Sequence, residues 1–208
     1  MIRKYLMSLL CIFTLLFSGF SFAQSKEQIL LDNLPSQYMG YEASPVDVYP
    51  EPELGVSRTY KNHVTNSTIT LYLYHWGQST IKDGITDPTV VTAYRSAQSD
   101  IEKVYRTGMY GLSGQTAQLK KYNLSISRAS KNKQLPFLVT SYEFKLADFP
   151  EQLYSRVYVS GVHNLIFKVR ITELQSKRSS EEEIQNFLGM IVKDFDSNMH
   201  LVRNKKGK

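Results

Sequence analysis

The sequence predicts an α+β domain, an antiparallel sheet of about six strands with helices packed on one face. Three observations predict it. Stretches in which apolar and polar residues alternate dominate the chain of 208 residues. Two stretches of helical spacing carry start signals. The order of these segments after a short leading helix is strand, strand, helix, four strands, helix, which suits a meander with helices laid over it.

Ser25 to Leu34 reads as a short helix with Ile29, Leu30 and Leu34 on one side. Pro35, Pro45, Pro50 and Pro52 then break the pattern, so the run to Glu53 is expected to be extended and irregular. Gly55 to Lys61 is a strand. Ser67 to Trp76 is a stronger one, with Ile69, Leu71 and Leu73 on one side and Thr70, Tyr72, Tyr74 and Trp76 on the other. Asn62 to Asn66 supplies the turn between them. Asp87 caps the next helix, Pro88 suits its first position, and Val90, Tyr94, Ala97, Ile101 and Val104 recur until Gly108 and Gly111 end it. Four strands follow, Gln118 to Ser127, Pro136 to Leu146, Gln152 to Ser160 and Leu165 to Thr172, with a turn at Lys131-Asn132-Lys133. The last helix opens on a capping box of Ser180 and Glu183. Its stripe of Ile184, Phe187, Leu188, Ile191, Val192 and Phe195 must lie on the sheet.

The N-terminus has the plan of a cleavable secretory signal: Arg3 and Lys4, an uncharged apolar run, then Ser21-Phe22-Ala23 before Gln24. The run from Tyr5 to Phe22 is short of the roughly 20 apolar residues a span needs, and Ser8, Thr14, Ser18, Gly19 and Ser21 interrupt it. A retained anchor is the alternative. A cleaved product is expected to be periplasmic or secreted, with no stable membrane span. Leu9 and Leu10 precede Cys11 where a lipoprotein needs small residues, and removal of the leader takes away the sole cysteine. The resulting organisation is residues 1–23 as signal, 24–53 as N-terminal helix and extended segment, 54–200 as the α+β domain and 201–208 as a basic tail.

Net charge says little about partners. Six of the 25 basic residues lie in the leader and the tail, leaving 19 against 19 acidic ones. A nucleic-acid partner, which would want a basic face inside the domain, is not expected. The tail is a solvated end, or the lower edge of a polybasic patch for anionic lipid.

The element order across Val46 to Phe195 resembles the PsbP-like fold, which includes the extrinsic photosystem subunit and bacterial secreted domains. The chain also resembles uncharacterised bacterial envelope proteins through Pro52-Glu53-Leu54-Gly55, the aromatic strand Leu71 to Tyr74 and Asp83-Gly84. Neither resemblance carries a catalytic residue, and both imply an accessory or binding role.

Signals for chemistry are weak. His63, His75, His163 and His200 include no pair at ligand spacing, and no metal or other cofactor is implied. Gly111-Leu112-Ser113-Gly114 lacks the glycine spacing of a nucleophile elbow. Glu181, Glu182 and Glu183 fan around a helix start and read as a solvated cap. Asn66-Ser67-Thr68 and Asn123-Leu124-Ser125 are glycosylation sequons that are inert in a bacterium.

One constellation stands above this background. If Val157 and Val159 share a face with Phe167, Val169 and Ile171, an odd loop of Val162-His163-Asn164 is required. The opposite face then gathers Tyr154, Arg156 and Tyr158 with Lys168 and Arg170, beside Tyr72, Tyr74 and Trp76. The structural account is a set of cross-strand pairs worth about 0.2–1 kcal/mol each, with rings tucked under the proline-rich segment. The functional account makes Tyr72, Tyr74, Trp76, Arg156, Tyr158, Lys168 and Arg170 a shallow face for an anionic or carbohydrate ligand or an envelope protein. Two functions follow as expectations. One is a non-enzymatic exported accessory or binding protein; the other is an exported hydrolase, which requires a pocket where a histidine and a carboxylate converge.

Overall fold

In a computed structural model of the chain, the structure describes residues 24–106, 117–128, 133–145 and 151–205. The leader at 1–23, the helix end at Gly108 and Gly111, the Gly111–Gly114 stretch and the turn residues Lys131 and Asn132 lie outside the described residues. The elements are α1 (Lys26–Asp32), β1 (Gln37–Tyr38), β2 (Tyr41–Val48), β3 (Val56–Asn62), β4 (Ser67–Tyr74), α2 (Pro88–Arg106), β5 (Ala117–Ser127), β6 (Gln134–Lys145), β7 (Gln152–Val162), β8 (Leu165–Leu174) and α3 (Glu181–Lys205). The strands form one antiparallel sheet of eight in the order β1-β2-β3-β4-β8-β7-β6-β5. The α+β class and antiparallel pairing stand as expected, and the strand number is larger than six.

The additional strands come from the segment expected to be irregular. β2 pairs with β3 from Glu42↔Lys61 to Val48↔Val56, and its ladder shifts register between Ala43 and Val46, where Pro45 sits. A bulge is where a residue without an N–H does least harm to a ladder. Residues 24–53 are thus part of the same folded unit, and the boundary at residue 54 falls inside it.

The second correction concerns the helices. α1 and α3 pack on one face of the sheet, and α2 packs on the other. On the α3 face, Ile184, Phe187, Leu188, Ile191, Val192 and Phe195 are buried against Tyr60, Leu71, Phe137, Phe167 and Val169. Each such burial is worth roughly 1.5–3 kcal/mol, and Phe187 meets the rings of Tyr38, Tyr41 and Tyr60 at 5.7, 5.7 and 5.9 Å. On the opposite face, Val90, Ala93, Tyr94, Ala97 and Ile101 of α2 meet Tyr74, Tyr142, Phe144, Val157, Val159 and Ile166. Gln98 donates to the Thr140 hydroxyl at 2.8 Å and Tyr94 to the Val139 carbonyl at 3.1 Å, which fixes α2 over β6.

The start signals behave as read. Asp87 Oδ1 accepts from the Thr89 N–H at 2.8 Å, and Pro88 opens α2. The Ser180 and Glu183 side chains each accept the other's backbone N–H, at 3.1 and 2.7 Å. Ser25 caps α1 through the Gln28 N–H, and Arg58 donates to the carbonyls of Leu31 and Leu34 at 2.8 Å each, closing the helix end.

Candidate functional site

The carboxyl end of β4 builds one side of a concavity between the sheet and α2. β4 stops at Tyr74, and His75-Trp76-Gly77 turns the chain. Trp76 is held at φ 49°, in the left-handed region that a bulky side chain rarely adopts. Local bonds hold it there: the Gly77 N–H donates to His75 Nδ1 at 2.9 Å, and the Gln78 N–H to the His75 carbonyl at 2.9 Å. The Trp76 N–H reaches the Glu53 carbonyl at 3.3 Å. Strain of this kind, about 1–3 kcal/mol, persists where surrounding contacts impose it, and it gathers at functional sites.

The partner of that last bond is the Pro52-Glu53-Leu54-Gly55 stretch, a tight turn closed by Leu54 N–H to Glu51 O at 2.9 Å and Tyr49 N–H to Gly55 O at 3.1 Å. Gly55 lies so close to β4 that a Cβ there would stand 2.0 Å from the Leu73 carbonyl oxygen. Leu54 of this stretch is exposed at the rim of the concavity. The other motif, Asp83-Gly84, bridges Gly161 of β7 by paired backbone bonds of 2.9 and 2.8 Å.

The cavity has a volume of about 270 Å³ and is open to solvent. Tyr49, Tyr72, Tyr74 and Trp76 give its rings, and Ala93, Ser96, Ala97 and Asp100 of α2 its far wall. Lys168 of β8 lies beneath. Small side chains at positions 93, 96 and 97, one helical turn apart, leave the space open. The Tyr74 and Trp76 rings pack at 5.5 Å and 50°.

Among the described residues Lys168 is the only basic one in this lining. Its Nζ lies 4.1 Å from the centre of the Tyr72 ring and 5.7 Å from that of Tyr74. Among the described residues no carboxylate lies within 4.0 Å of it. Burial pushes the Lys168 pKa below the usual lysine value, against the attraction of Asp100 and with the repulsion of Arg170. Burial raises the phenols of Tyr72 and Tyr74, so both are neutral hydrogen-bonding groups at neutral pH.

Of the seven residues expected to form the face, Tyr72, Tyr74, Trp76 and Lys168 converge on this cavity. Arg170 shares the face without lining it. Arg156 and Tyr158 are on the wrong side of the sheet for the site, as is Tyr154. Val162 pairs with Leu165, so the β7–β8 turn has two residues, His163 and Asn164, at φ 50° and 60°. That even loop sets Tyr158 opposite Val169 and Arg156 opposite Ile171, facing α3, while Val157 and Val159 sit opposite Arg170 and Lys168, facing α2. A shift of one residue exchanges every side chain between faces. Arg156 is instead a core cation: its Nη2 donates to Glu173 Oε2 at 2.6 Å and to the Ser179 carbonyl at 3.1 Å. Tyr49 and Asp100 belong to the cavity without having been singled out in the sequence, and Leu54 was noted there only within the Pro52–Gly55 stretch.

A second polar group lies at the turn end of β7 and β8. His163 Nε2 is 2.8 Å from Asp196 Oδ1 and 3.2 Å from Arg128 Nη2, its backbone N–H donates to Asp83 Oδ1 at 2.7 Å, and Arg128 pairs with both Asp83 and Asp196. Burial, reinforced by Arg128, lowers the His163 pKa. Its neutral form is thus the one folding favours. The stabilisation is fully present above the unfolded value of about 6.5 and is lost as pH falls through the lower folded value. Urea unfolding between pH 8 and pH 5 is expected to show a loss in the wild type that His163→Gln lacks, with a slope below about 1.4 kcal/mol per pH unit for one proton. Equal slopes would remove His163 from the account.

The His163–Asp196 pair lines neither this cavity nor the groove of Ser125, Arg128, Gln185, Gly189 and Lys193 beside α3. Among the described residues no group of three or more His, Cys, Asp or Glu is placed to hold a metal ion, and no helix is long and apolar enough to cross a membrane. Compared with known proteins, the chain matches no family model and no curated protein.

Proposed function

We propose that this protein is a non-enzymatic binding protein, exported across a membrane through residues 1–23 and acting in the periplasm or outside the cell, and that the cavity between β4, β8 and α2 receives its ligand or a projecting group of an envelope partner. The reading includes a PsbP-like order of elements, with no nucleic-acid partner. One observation carries it: four residues chosen for ligand chemistry meet in one concavity, where Trp76 is held in a costly backbone conformation and Lys168 has no carboxylate partner among the described residues. Aromatic walls with a few polar groups are what a binding site needs to combine area with orientation. The hydrolase reading asks for a histidine and a carboxylate in a pocket, and among the described residues the lining of this cavity has a carboxylate, Asp100, and no histidine.

The test is capture from envelope extract with wild-type protein and with Trp76→Ala, each checked for folding by circular dichroism. Recovery of a component by the wild type, reduced at least tenfold for Trp76→Ala, supports the reading. Equal recovery by both overturns it. An amino terminus at Gln24 in protein taken from the envelope would mark the leader as cleaved.

A further inference from the structure

Resting on the cavity as the binding site, we infer that its occupant is a single-ring carboxylate whose anionic group pairs with Lys168 and whose ring lies among Tyr72, Tyr74 and Trp76. Among the described residues the lining holds one cation, one anion and otherwise rings, small side chains and Leu54. A half-buried ammonium has three N–H donors to satisfy. Ring faces at 4.1 and 5.7 Å compensate its charge only in part. An anion delivered by the ligand completes the pair in the environment where charge-assisted bonds are strongest.

The charge count decides which anion. One lysine matches a monoanion; a phosphate near a double negative charge at pH 7 would leave charge unpaired and face Asp100 across the cavity. The volume of about 270 Å³ lies just under the roughly 300–1,000 Å³ of drug-sized sites, which suits one ring. Asp100, exposed on α2 and away from direct contact with Lys168, is placed to accept a hydroxyl from the far side of that ring. Two chemical sources share this description, a uronic acid and a hydroxylated aromatic acid.

Galacturonate and 4-hydroxyphenylacetate, each against its uncharged counterpart, galactose and 4-hydroxyphenylacetamide, separate charge from ring. Calorimetric titration of the purified protein at pH 7 is expected to show one acid binding at least tenfold tighter than its neutral counterpart. Lys168→Met is expected to erase that preference. Whichever acid binds identifies the source. A neutral compound binding as tightly as its acid, or a preference that survives Lys168→Met, overturns the carboxylate inference and leaves the cavity reading standing. Failure of all four compounds to bind the wild type also overturns the inference, while the cavity reading stands or falls on capture by Trp76→Ala. If Lys168→Met does not fold, the comparison of acid and neutral compound on the wild type decides alone.

Discussion

Glu173→Ala is expected to destabilise the protein by about 3–5 kcal/mol, the cost of removing one partner from a buried ion pair. The side chains of Arg156 and Glu173 are 1% and 0% exposed, and their closest contact is 2.6 Å. Glu173 also accepts the Ser179 N–H at 3.1 Å, which ties β8 to the start of α3. Without the carboxylate, Arg156 keeps the Ser179 carbonyl, the Tyr154 ring at 5.3 Å and a longer ion pair of 3.7 Å from Nη1 to the partly exposed Glu181, while its Nε and Nη1 already lack hydrogen-bond partners. A buried guanidinium left with only that longer pair to a partly exposed carboxylate is what makes the truncation severe. Replacing both partners, as Arg156→Met with Glu173→Leu, is expected to recover most of the loss, because no charge is then left inside. Urea unfolding at pH 7 measures both. A loss under about 1 kcal/mol for Glu173→Ala would contradict the closed, paired environment.

Gly55→Ala is the second large effect, and it joins stability to the candidate site. Gly55 has φ 66° and ψ −127°, and an added Cβ would meet the Leu73 carbonyl oxygen at 2.0 Å and the Tyr74 Cα at 2.8 Å. Both neighbours are backbone, so no rotamer change relieves the clash. Overpacking costs about 1–3 kcal/mol, and a positive-φ backbone at φ 66° and ψ −127°, sparsely open to any residue with a Cβ, adds about 1–3 kcal/mol for an alanine. A total near 3 kcal/mol is expected in urea unfolding. Relief of the clash requires the Pro52–Gly55 turn to move off β4, which carries Leu54 away and breaks the Trp76 N–H to Glu53 bond. Ligand capture should fall at least as far as in Trp76→Ala. A Gly55→Ala protein with unchanged stability would mean that the turn is not seated as described.

The local signals in the sequence are reliable here because each is a short-range competition for backbone hydrogen bonds. Ser180 and Glu183, and Asp87 and Pro88, all do what their chemistry predicts. The hydrophobic alternation of β4 is also legible, since Tyr72 and Tyr74 truly oppose Ile69, Leu71 and Leu73.

Side assignment in β7 is where the reading fails. Residues 154–162 are buried throughout, because α3 covers one face and α2 the other, so no alternation remains to be read. Aliphatic side chains at Val157 and Val159 then say nothing about which face they occupy, and His163-Asn164 is not the Asn-Gly that announces a two-residue turn. β2 was hidden for a different reason: Pro45 suggests a break, and only the pairing with β3 shows that the chain accommodates it with a bulge. Half the site was therefore visible as an aromatic strand, while Asp100, Tyr49 and Leu54 come from elements whose placement depends on tertiary packing.

Trp76 is the sole tryptophan of the chain, so its emission reports on the cavity alone. Titrating the purified protein with the low-molecular-mass fraction of an envelope extract, with binding followed in parallel by calorimetry, is the direct test of the cavity as the binding site. The account predicts a saturable shift in Trp76 emission that follows the calorimetric isotherm. Saturable calorimetric binding with unchanged Trp76 emission would place the ligand elsewhere and contradict it.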